Sequence, residues 1–150
     1  MAKITPFLWF DDRLEEAAQF YIGVFGDGKI LSTSRHGDKV MSMTFVLEGQ
    51  EFMGLNGGPH FRFNEAVSLF VKCETQAEVD HYWSALTADG GAESQCGWLK
   101  DRYGLSWQII PNALGRYLGD ADPAKAQRVG AAMMKMKKID VAALDAAYAG

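Results

Sequence analysis

The order of predicted strands and helices along this 150-residue chain occurs twice, and this internal repeat restricts its possible folds more than any other feature. The two copies align when Phe20-Tyr21 is placed over Tyr82-Trp83. The same alignment places Phe7-Leu8-Trp9 over Leu69-Phe70-Val71. The repeat therefore predicts two units, each with the order strand, helix, strand, strand, strand.

The closing hairpins of the two units also correspond, under an alignment of their own. This alignment places Gly49 over Gly104 and Met53 over Gln108. Alternation of apolar and polar residues and the turn residues between them predict eight strands, at residues 4–10, 29–34, 40–48, 51–55, 68–73, 92–94, 96–99 and 105–111.

Residues 14–25 and 76–87 have apolar side chains at helical spacing, and each predicted helix is followed by a Gly-containing stop. We expect Asp11 or Asp12 to cap the first helix, since a carboxylate can accept hydrogen bonds from its first N–H groups. In the C-terminal part, Asp122 and Pro123 predict the start of a helix that runs through Met136. A short helix is predicted after Asp140.

These elements predict an α+β fold of two paired βαβββ modules with additional C-terminal helices. The modules are predicted at residues 1–58 and 66–112, and the helical extension at 122–149. In each module the helix covers one sheet face, and we expect the uncovered faces to curve around a shared, cup-shaped cleft. The whole chain is then one domain, which is an ordinary size for a single core. Exposed sheet edges favour a homodimer.

Charge and composition argue against several function classes. The net charge is -4 and there is no basic tail, which argues against nucleic-acid binding. The nearest basic cluster, at residues 135–138, is interpreted as the cationic last turn of a helix. No apolar run is long enough for a membrane span, and the N-terminus lacks a signal-peptide pattern. Cys73 and Cys96 do not form a CxxC pair and are too few for a disulfide framework. These features predict a reduced, cytoplasmic protein.

Several motifs together resemble one protein family. They are PFLWFDD (6–12), EEAAQFY (15–21), LNGGPHFRFNEAVSLFV (55–71), EVDHYW (78–83), CGWLKDRYGLSWQIIP (96–111) and KMKKIDVAALDAA (135–147). This combination resembles the PhnB-like branch of the vicinal oxygen chelate superfamily, which includes glyoxalases, extradiol dioxygenases and fosfomycin-resistance proteins. Many similar proteins carry the name 3-demethylubiquinone-9 3-methyltransferase. The sequence shows no glycine-rich turn between strand and helix of the kind that binds S-adenosylmethionine in Rossmann-like folds.

The resemblance implies a position for a divalent metal ion in the cleft. Family members hold it with side chains from the first and last strands of each module, and the corresponding positions here are Pro6, Met53, Ser68 and Gln108. Proline and methionine offer no ligand for a hard cation, and a typical site needs three or four protein ligands. We therefore expect no metal and no cofactor. The three histidines, His36, His60 and His81, lie at unrelated positions.

Strand alternation then assigns side chains to the cleft. We expect Leu8 and Phe10 to face it, while Phe7 and Trp9 pack in the core. The candidate binding residues are Phe10, Asn56, Ser68, Phe70, Cys96, Trp98 and Gln108. Asp101 is interpreted as a turn residue rather than an acid catalyst.

This lining predicts binding of a small, largely apolar molecule that is fixed by a few hydrogen bonds. No nucleophile with an adjacent base is visible, so whether the protein is an enzyme remains open at this point. The first alternative is a metal-dependent enzyme of the glyoxalase or dioxygenase type. The second is a methyltransferase acting on 3-demethylubiquinone, as the family name suggests.

Overall fold

The computed structural model describes residues 2–150, which form eight strands and five helices. The chain divides into two compact units, Met1–Phe63 and Asn64–Gly150. The first unit contains β1 (Phe7–Phe10), α1 (Leu14–Phe25), β2 (Gly28–His36), β3 (Lys39–Leu47) and β4 (Gln50–Asn56). The second contains β5 (Ser68–Cys73), α2 (Gln76–Thr87), β6 (Ala92–Glu93), β7 (Trp98–Lys100), β8 (Ser106–Pro111), α3 (Asn112–Leu118), α4 (Pro123–Met133) and α5 (Val141–Ala149).

Each unit contains one four-stranded mixed sheet, and the two sheets have equivalent strand orders. The orders are β1-β4-β3-β2 and β5-β8-β7-β6. In each sheet the first strand pairs in parallel with the last, and the remaining pairs are antiparallel. The predicted α+β fold of two βαβββ modules with C-terminal helices is confirmed.

The helix of each unit packs against one face of its own sheet because its apolar residues recur at helical spacing. In α1 the buried side chains include Leu14, Ala17, Ala18 and Tyr21. In α2 they are Val79, Trp83 and Leu86. Aromatic residues form much of the buried sheet surface opposite these helices. Examples are Phe45 and Phe52, whose stacked rings lie 5.5 Å apart in the first unit.

The C-terminal helices form a small core of their own in the second unit. Its buried residues are Ile110, Leu114, Val129, Ile139 and Leu144. Ile110 belongs to β8, so this core joins α3, α4 and α5 to the last strand of the second sheet. Within residues 2–150, none of the helices is both long and apolar enough to cross a membrane.

Several details of the predicted elements were wrong. Strand β1 begins at Phe7 rather than at residue 4, and β7 is Trp98–Lys100 rather than residues 96–99. Neither Asp11 nor Asp12 caps α1; the helix begins after Arg13, and the Oδ1 atom of Asn56 accepts a hydrogen bond of 2.9 Å from Leu14 N. Helix α4 ends at Met133 rather than at Met136. The short helix α3 directly after β8 was not predicted, because no capping side chain marks its start at Pro111.

Candidate functional site

The face of the second sheet that α2 does not cover has its side chains in ordered rows, and we call it the uncovered face. Residues that pair across neighbouring strands point to the same side of a sheet. Phe70 pairs with Gln108, and Gln108 pairs with Trp98. These three residues form an aromatic row with an amide at its centre. Phe70 is 53% exposed, which is unusual for a phenylalanine in a strand.

A polar row lies beside the aromatic row. Ser68 pairs with Ser106, and Ser106 pairs with Lys100. The two rows are two residues apart along each strand, which corresponds to about 7 Å. A molecule the size of a bicyclic aromatic compound can therefore contact both rows at once.

Two hydroxyl groups of the polar row differ in their hydrogen bonding. Gln108 Nε2 donates a hydrogen bond of 3.0 Å to Ser68 Oγ, so the hydrogen of the Ser68 hydroxyl remains available for donation. The Ser106 side chain is only 1% exposed, and its Oγ has no hydrogen-bond partner among residues 2–150. A buried hydroxyl without a partner costs roughly 1–3 kcal/mol of stability. Such a group is a candidate ligand contact.

Two lysines border the uncovered face. Lys100 Nζ lies 3.1 Å from Glu65 Oε1, in an ion pair whose two side chains are both substantially exposed. The hydrogen bond from Lys100, followed by a backbone hydrogen bond and the lysine charge, lowers the pKa of the Glu65 carboxyl. Lys72 occupies the other side of the aromatic row, where it pairs in register with Ile110. Because Ile110 is buried in the C-terminal core, the helices limit the uncovered face at this end.

A buried carboxylate fixes the turn that joins β7 to β8. Asp101 Oδ1 accepts hydrogen bonds from Tyr103 N (2.8 Å) and Leu105 N (3.1 Å). Asp101 Oδ2 accepts one of 2.9 Å from Trp107 Nε1. These donors account for the burial of the carboxylate, so its contacts are those of a turn residue. This turn also sets the register of the hairpin, which places Trp98 opposite Gln108 and Lys100 opposite Ser106.

Four of the seven predicted binding residues, namely Ser68, Phe70, Trp98 and Gln108, lie together on the uncovered face. Cys96 does not belong to either row. It precedes β7 with a backbone φ of 58°, and its Sγ lies 3.7 Å from Met134 Sδ. Its backbone N–H donates to Met136 O at 2.8 Å. Cys96 therefore contacts the segment that follows α4.

Phe10 and Asn56 lie on the helix-covered side of the first sheet. Phe10 is 3% exposed and pairs in register with Asn56. Besides its bond to Leu14 N, Asn56 donates from Nδ2 to Val40 O at 3.0 Å, so both ends of its amide hold backbone. The expected facing of β1 is thus reversed: Leu8 and Phe10 are core residues, and Phe7, 51% exposed, points to the other side.

The close packing of Gly54 shows this orientation of β1 and β4. A Cβ atom at Gly54 would lie 2.7 Å from Leu14 Cδ1, so that side of β4 points at α1. Gly54 pairs with Leu8, which therefore points at α1 as well. Trp9 lies on the opposite side, where its Nε1 donates to Gly58 O at 2.9 Å and its ring contacts Phe61.

The four positions that the family resemblance implies for a metal, Pro6, Met53, Ser68 and Gln108, come together in pairs. In the second unit Ser68 and Gln108 are hydrogen-bonded. In the first unit Met53 N donates to Pro6 O at 3.0 Å. The side chains of this set supply no carboxylate, imidazole or thiolate, so they do not fit a divalent cation. In the part of the chain from residue 2 onward, no three His, Cys, Asp or Glu residues are grouped to hold a metal.

This fold and these motifs match a known family model. The model described as 3-demethylubiquinone-9 3-methyltransferase matches residues 2–110. The chain belongs to this family. It shares 37% sequence identity with a PhnB protein from Bacillus cereus, described as a putative 3-demethylubiquinone-9 3-methyltransferase; the match covers 73% of this chain and 99% of that chain, with a TM-score of 0.68. No curated protein matches the chain.

More distant solved structures share the fold of this chain. A glyoxylase/bleomycin resistance protein/dioxygenase domain from Frankia is 15% identical, with 74% of this chain and 92% of that chain covered and a TM-score of 0.52. A fosfomycin resistance protein from Listeria monocytogenes, complexed with Mn(II) and sulfate, is 14% identical; the coverages are 71% and 87%, and the TM-score is 0.50. At these identities the likeness concerns the fold.

The family name also implies S-adenosylmethionine, and the strand–helix connections do not fit it. The residues between β1 and α1 are Asp11, Asp12 and Arg13, and those between β5 and α2 are Glu74 and Thr75. Neither connection contains a glycine that would let backbone N–H groups approach a bound nucleoside. The family match ends at residue 110, before α3, so the C-terminal helices lie outside it.

Proposed function

We propose that the protein binds a small, largely apolar molecule on the uncovered face of the second sheet, without a metal ion. The observation that supports this most directly is the row of Phe70, Gln108 and Trp98, in which two aromatic side chains flank one amide. Apolar walls with a few polar groups are typical of small-molecule sites. The Ser106 hydroxyl in the polar row is buried and has no partner within residues 2–150, which adds a polar group without a protein partner beside the aromatic row.

Gln108 has the role of an orienting group in this proposal. Its Nε2 donates to Ser68 Oγ, which fixes the amide and leaves Oε1 available as a hydrogen-bond acceptor for the bound molecule. No step of covalent chemistry is required of these side chains. The two alternatives are a metal-dependent enzyme of the superfamily and a methyltransferase, and both depend on a bound group that can be tested directly.

Isothermal titration with 2-naphthamide, a neutral aromatic probe, tests the binding proposal. We expect Phe70→Ala to weaken binding by about tenfold or more, since a stacked aromatic contact and its burial are worth roughly 1–3 kcal/mol. Phe61→Ala is the matched control, because Phe61 is also an exposed phenylalanine but lies in the first unit. Equal weakening by both variants, or no weakening by Phe70→Ala, would contradict the proposal.

Native mass spectrometry after dialysis against Mn²⁺, Zn²⁺ or Ni²⁺ distinguishes the proposal from the metal-dependent enzyme. We expect no stoichiometric metal. Stoichiometric metal that is lost in Gln108→Ala would favour the alternative.

For the methyltransferase, S-adenosylmethionine at a hundredfold excess over its dissociation constant would stabilise the protein by about 2.7 kcal/mol, which a thermal shift detects. We expect no shift.

We further propose a homodimer and a cytoplasmic location. Strand β2 is a nine-residue edge strand of the first sheet, and pairing or covering of such an edge by a second copy is a common arrangement. Light scattering coupled to size-exclusion chromatography tests the dimer. The two free cysteines, Cys73 and Cys96, agree with a reducing compartment, and cell fractionation tests that location.

A further inference from the structure

The ion pair between Glu65 and Lys100 lies at the end of the polar row, and it indicates which charged group the ligand has. Lys100 pairs across the sheet with Ser106, and Ser106 pairs with Ser68. The Ser106 hydroxyl is buried and has no hydrogen-bond partner within residues 2–150. A cation and two hydroxyl groups that can donate are therefore adjacent. Such a set matches the oxygens of one anionic group, for which hydrogen bonds from charged and neutral donors are both favourable.

The Glu65 carboxylate is the anion that contacts the cation of this set, Lys100. Its Oε1 lies 3.1 Å from Lys100 Nζ, and the Glu65 side chain is 64% exposed. Glu65 precedes β5 and belongs to no strand or helix. An exposed ion pair of this kind contributes little to stability, so a ligand carboxylate can replace it at a small cost.

We propose that the ligand is an aromatic carboxylate whose ring lies over Phe70 and Trp98 and whose carboxylate replaces Glu65 at Lys100. This inference rests on the proposed binding function and adds the chemical class of the ligand. Ser68 and Ser106 then donate to the carboxylate oxygens, which gives the Ser106 hydroxyl the partner that it lacks. Glu65 competes with the ligand for the same cation.

A pair of matched probes tests the charge separately from the ring. 2-Naphthoate and 2-naphthamide have the same ring system and nearly the same shape, and only the first is anionic. In the wild-type protein we expect 2-naphthoate to bind about three- to fivefold more tightly by isothermal titration, the range of a partly exposed ion pair. We expect Lys100→Gln to abolish this preference, so that the two probes bind to the variant with equal affinity.

Removal of the competing carboxylate should act in the opposite direction. Glu65→Gln should raise the affinity for 2-naphthoate by about threefold and leave that for 2-naphthamide unchanged. In the double variant Lys100→Gln with Glu65→Gln, the two probes should bind equally. Lys72→Gln is the matched control, because Lys72 lies on the same face at the other side of the aromatic row.

The outcomes separate this inference from the proposed function. Equal binding of both probes to the wild-type protein, or loss of the preference in Lys72→Gln instead of Lys100→Gln, would overturn the anionic class while the apolar site stands. A lower 2-naphthoate affinity in Glu65→Gln would overturn the competition by Glu65. If neither probe binds at millimolar concentration to folded wild-type protein, both the inference and the proposed function are wrong.

Discussion

The two units share one topology, yet they connect their first strand to their helix differently. Aligning the helices, Leu14–Phe25 over Gln76–Thr87, places Phe7 over Leu69. The sheets give a different match. Met53 and Gln108 are equivalent in the closing hairpins, and they pair with Phe7 and Phe70 respectively, so Phe7 corresponds to Phe70. The strand–helix connection of the second unit is therefore one residue shorter.

One residue matters because side chains alternate between the two faces of a strand. In the match given by the sheets, Phe7 and Phe70 are equivalent, and both are about half exposed, at 51% and 53%. Phe10 matches Cys73, and both are buried on the helix-covered side. The comparison shows that the units have the same arrangement of faces, and that only the length of a connection obscures it in the sequence.

The uncovered faces of the two units differ in chemistry at equivalent positions. In the first unit, Thr5 Oγ1 lies 3.5 Å from Glu51 Oε2. Thr5 corresponds to Ser68 of the second unit, and Glu51 corresponds to Ser106. The carboxylate of Glu51 is therefore replaced by a hydroxyl in the second unit. Gln108 stands where the first unit has Met53. The second unit thus has neutral donors at these positions, which is why the ligand site is proposed there.

The largest effect is expected from the position that most clearly separates the two faces of β1. Phe10→Ala should lower the free energy of unfolding by about 3–5 kcal/mol, the usual cost of truncating a buried phenylalanine. Phe7→Ala, on the exposed side, should cost less than about 1 kcal/mol. Urea denaturation of the two variants measures both. A larger loss in Phe7→Ala would mean that the facing of β1 described above is wrong.

The sequence allowed the fold to be predicted well because its strongest signals are local. The bounds of α1, α2 and β5 were predicted to the residue, since apolar spacing and flanking turn residues are short-range features. Alternation along each strand predicts that Ser68 and Phe70 share a side of β5, and the register of β5 and β7 with β8 brings these two together with Trp98 and Gln108 on one face. Their role in binding stays a prediction.

The facing of β1 could not be predicted in the same way. Both faces of FLWF are apolar, so periodicity within β1 does not distinguish them. The alignment of the two helices predicts the facing one residue out of step, because the strand–helix connections differ in length. The sequence predicts Asn56 to be a cleft residue, because nothing local in it shows that the Asn56 amide bonds to Leu14 N and Val40 O, which are 42 and 16 residues away. Such contacts depend on tertiary structure.

The closing hairpins provide a second comparison. Here we expect Asp101→Ala to lower the free energy of unfolding by about 3 kcal/mol. Asp101→Ala removes the acceptor of three hydrogen bonds in the hairpin of the second unit and leaves their donors buried. The first unit closes with a two-residue turn, Glu48-Gly49, and needs no such anchor. We therefore expect Glu48→Ala to cost less than about 1 kcal/mol. Thermal unfolding checks both variants, and similar losses in the two would contradict the anchoring role of Asp101.

Cys73 and Phe10 are equivalent, but only Cys73 can ionise. Burial, with the charge of Glu78 as the second cause, raises the pKa of the Cys73 thiol to about 12. A raised folded-state pKa means that the folded protein holds the proton more tightly. The resulting stability is therefore complete below the unfolded pKa of about 8.5 and is lost as pH rises toward 12.

The free energy of unfolding should therefore be about 2 kcal/mol lower at pH 10 than at pH 8. Urea denaturation at both pH values measures it. Cys73→Ala should remove this part of the pH dependence, whereas Cys96→Ala should retain it, because the Cys73 thiol is still present in that variant. An unchanged pH dependence in Cys73→Ala would show that other groups cause the alkaline loss.

The smallest effect is expected from a substitution that improves the turn of the first unit. Glu48 and Gly49 both have positive φ values, 48° and 80°, as the two central residues of a type I′ hairpin turn do. Asparagine tolerates this left-handed conformation better than glutamate, so Glu48→Asn should stabilise the protein by about 0.5 kcal/mol. The backbone hydrogen bond from Glu48 N to Asp27 O does not depend on the side chain and should persist. Gly104 in the second unit has a φ of 86° in a turn whose other residues are held by Asp101. Urea denaturation measures both substitutions. We expect the midpoint urea concentration to rise for Glu48→Asn, and to stay the same or fall for Gly104→Asn. This result would show that backbone conformation stabilises the first hairpin, whereas a buried carboxylate stabilises the second.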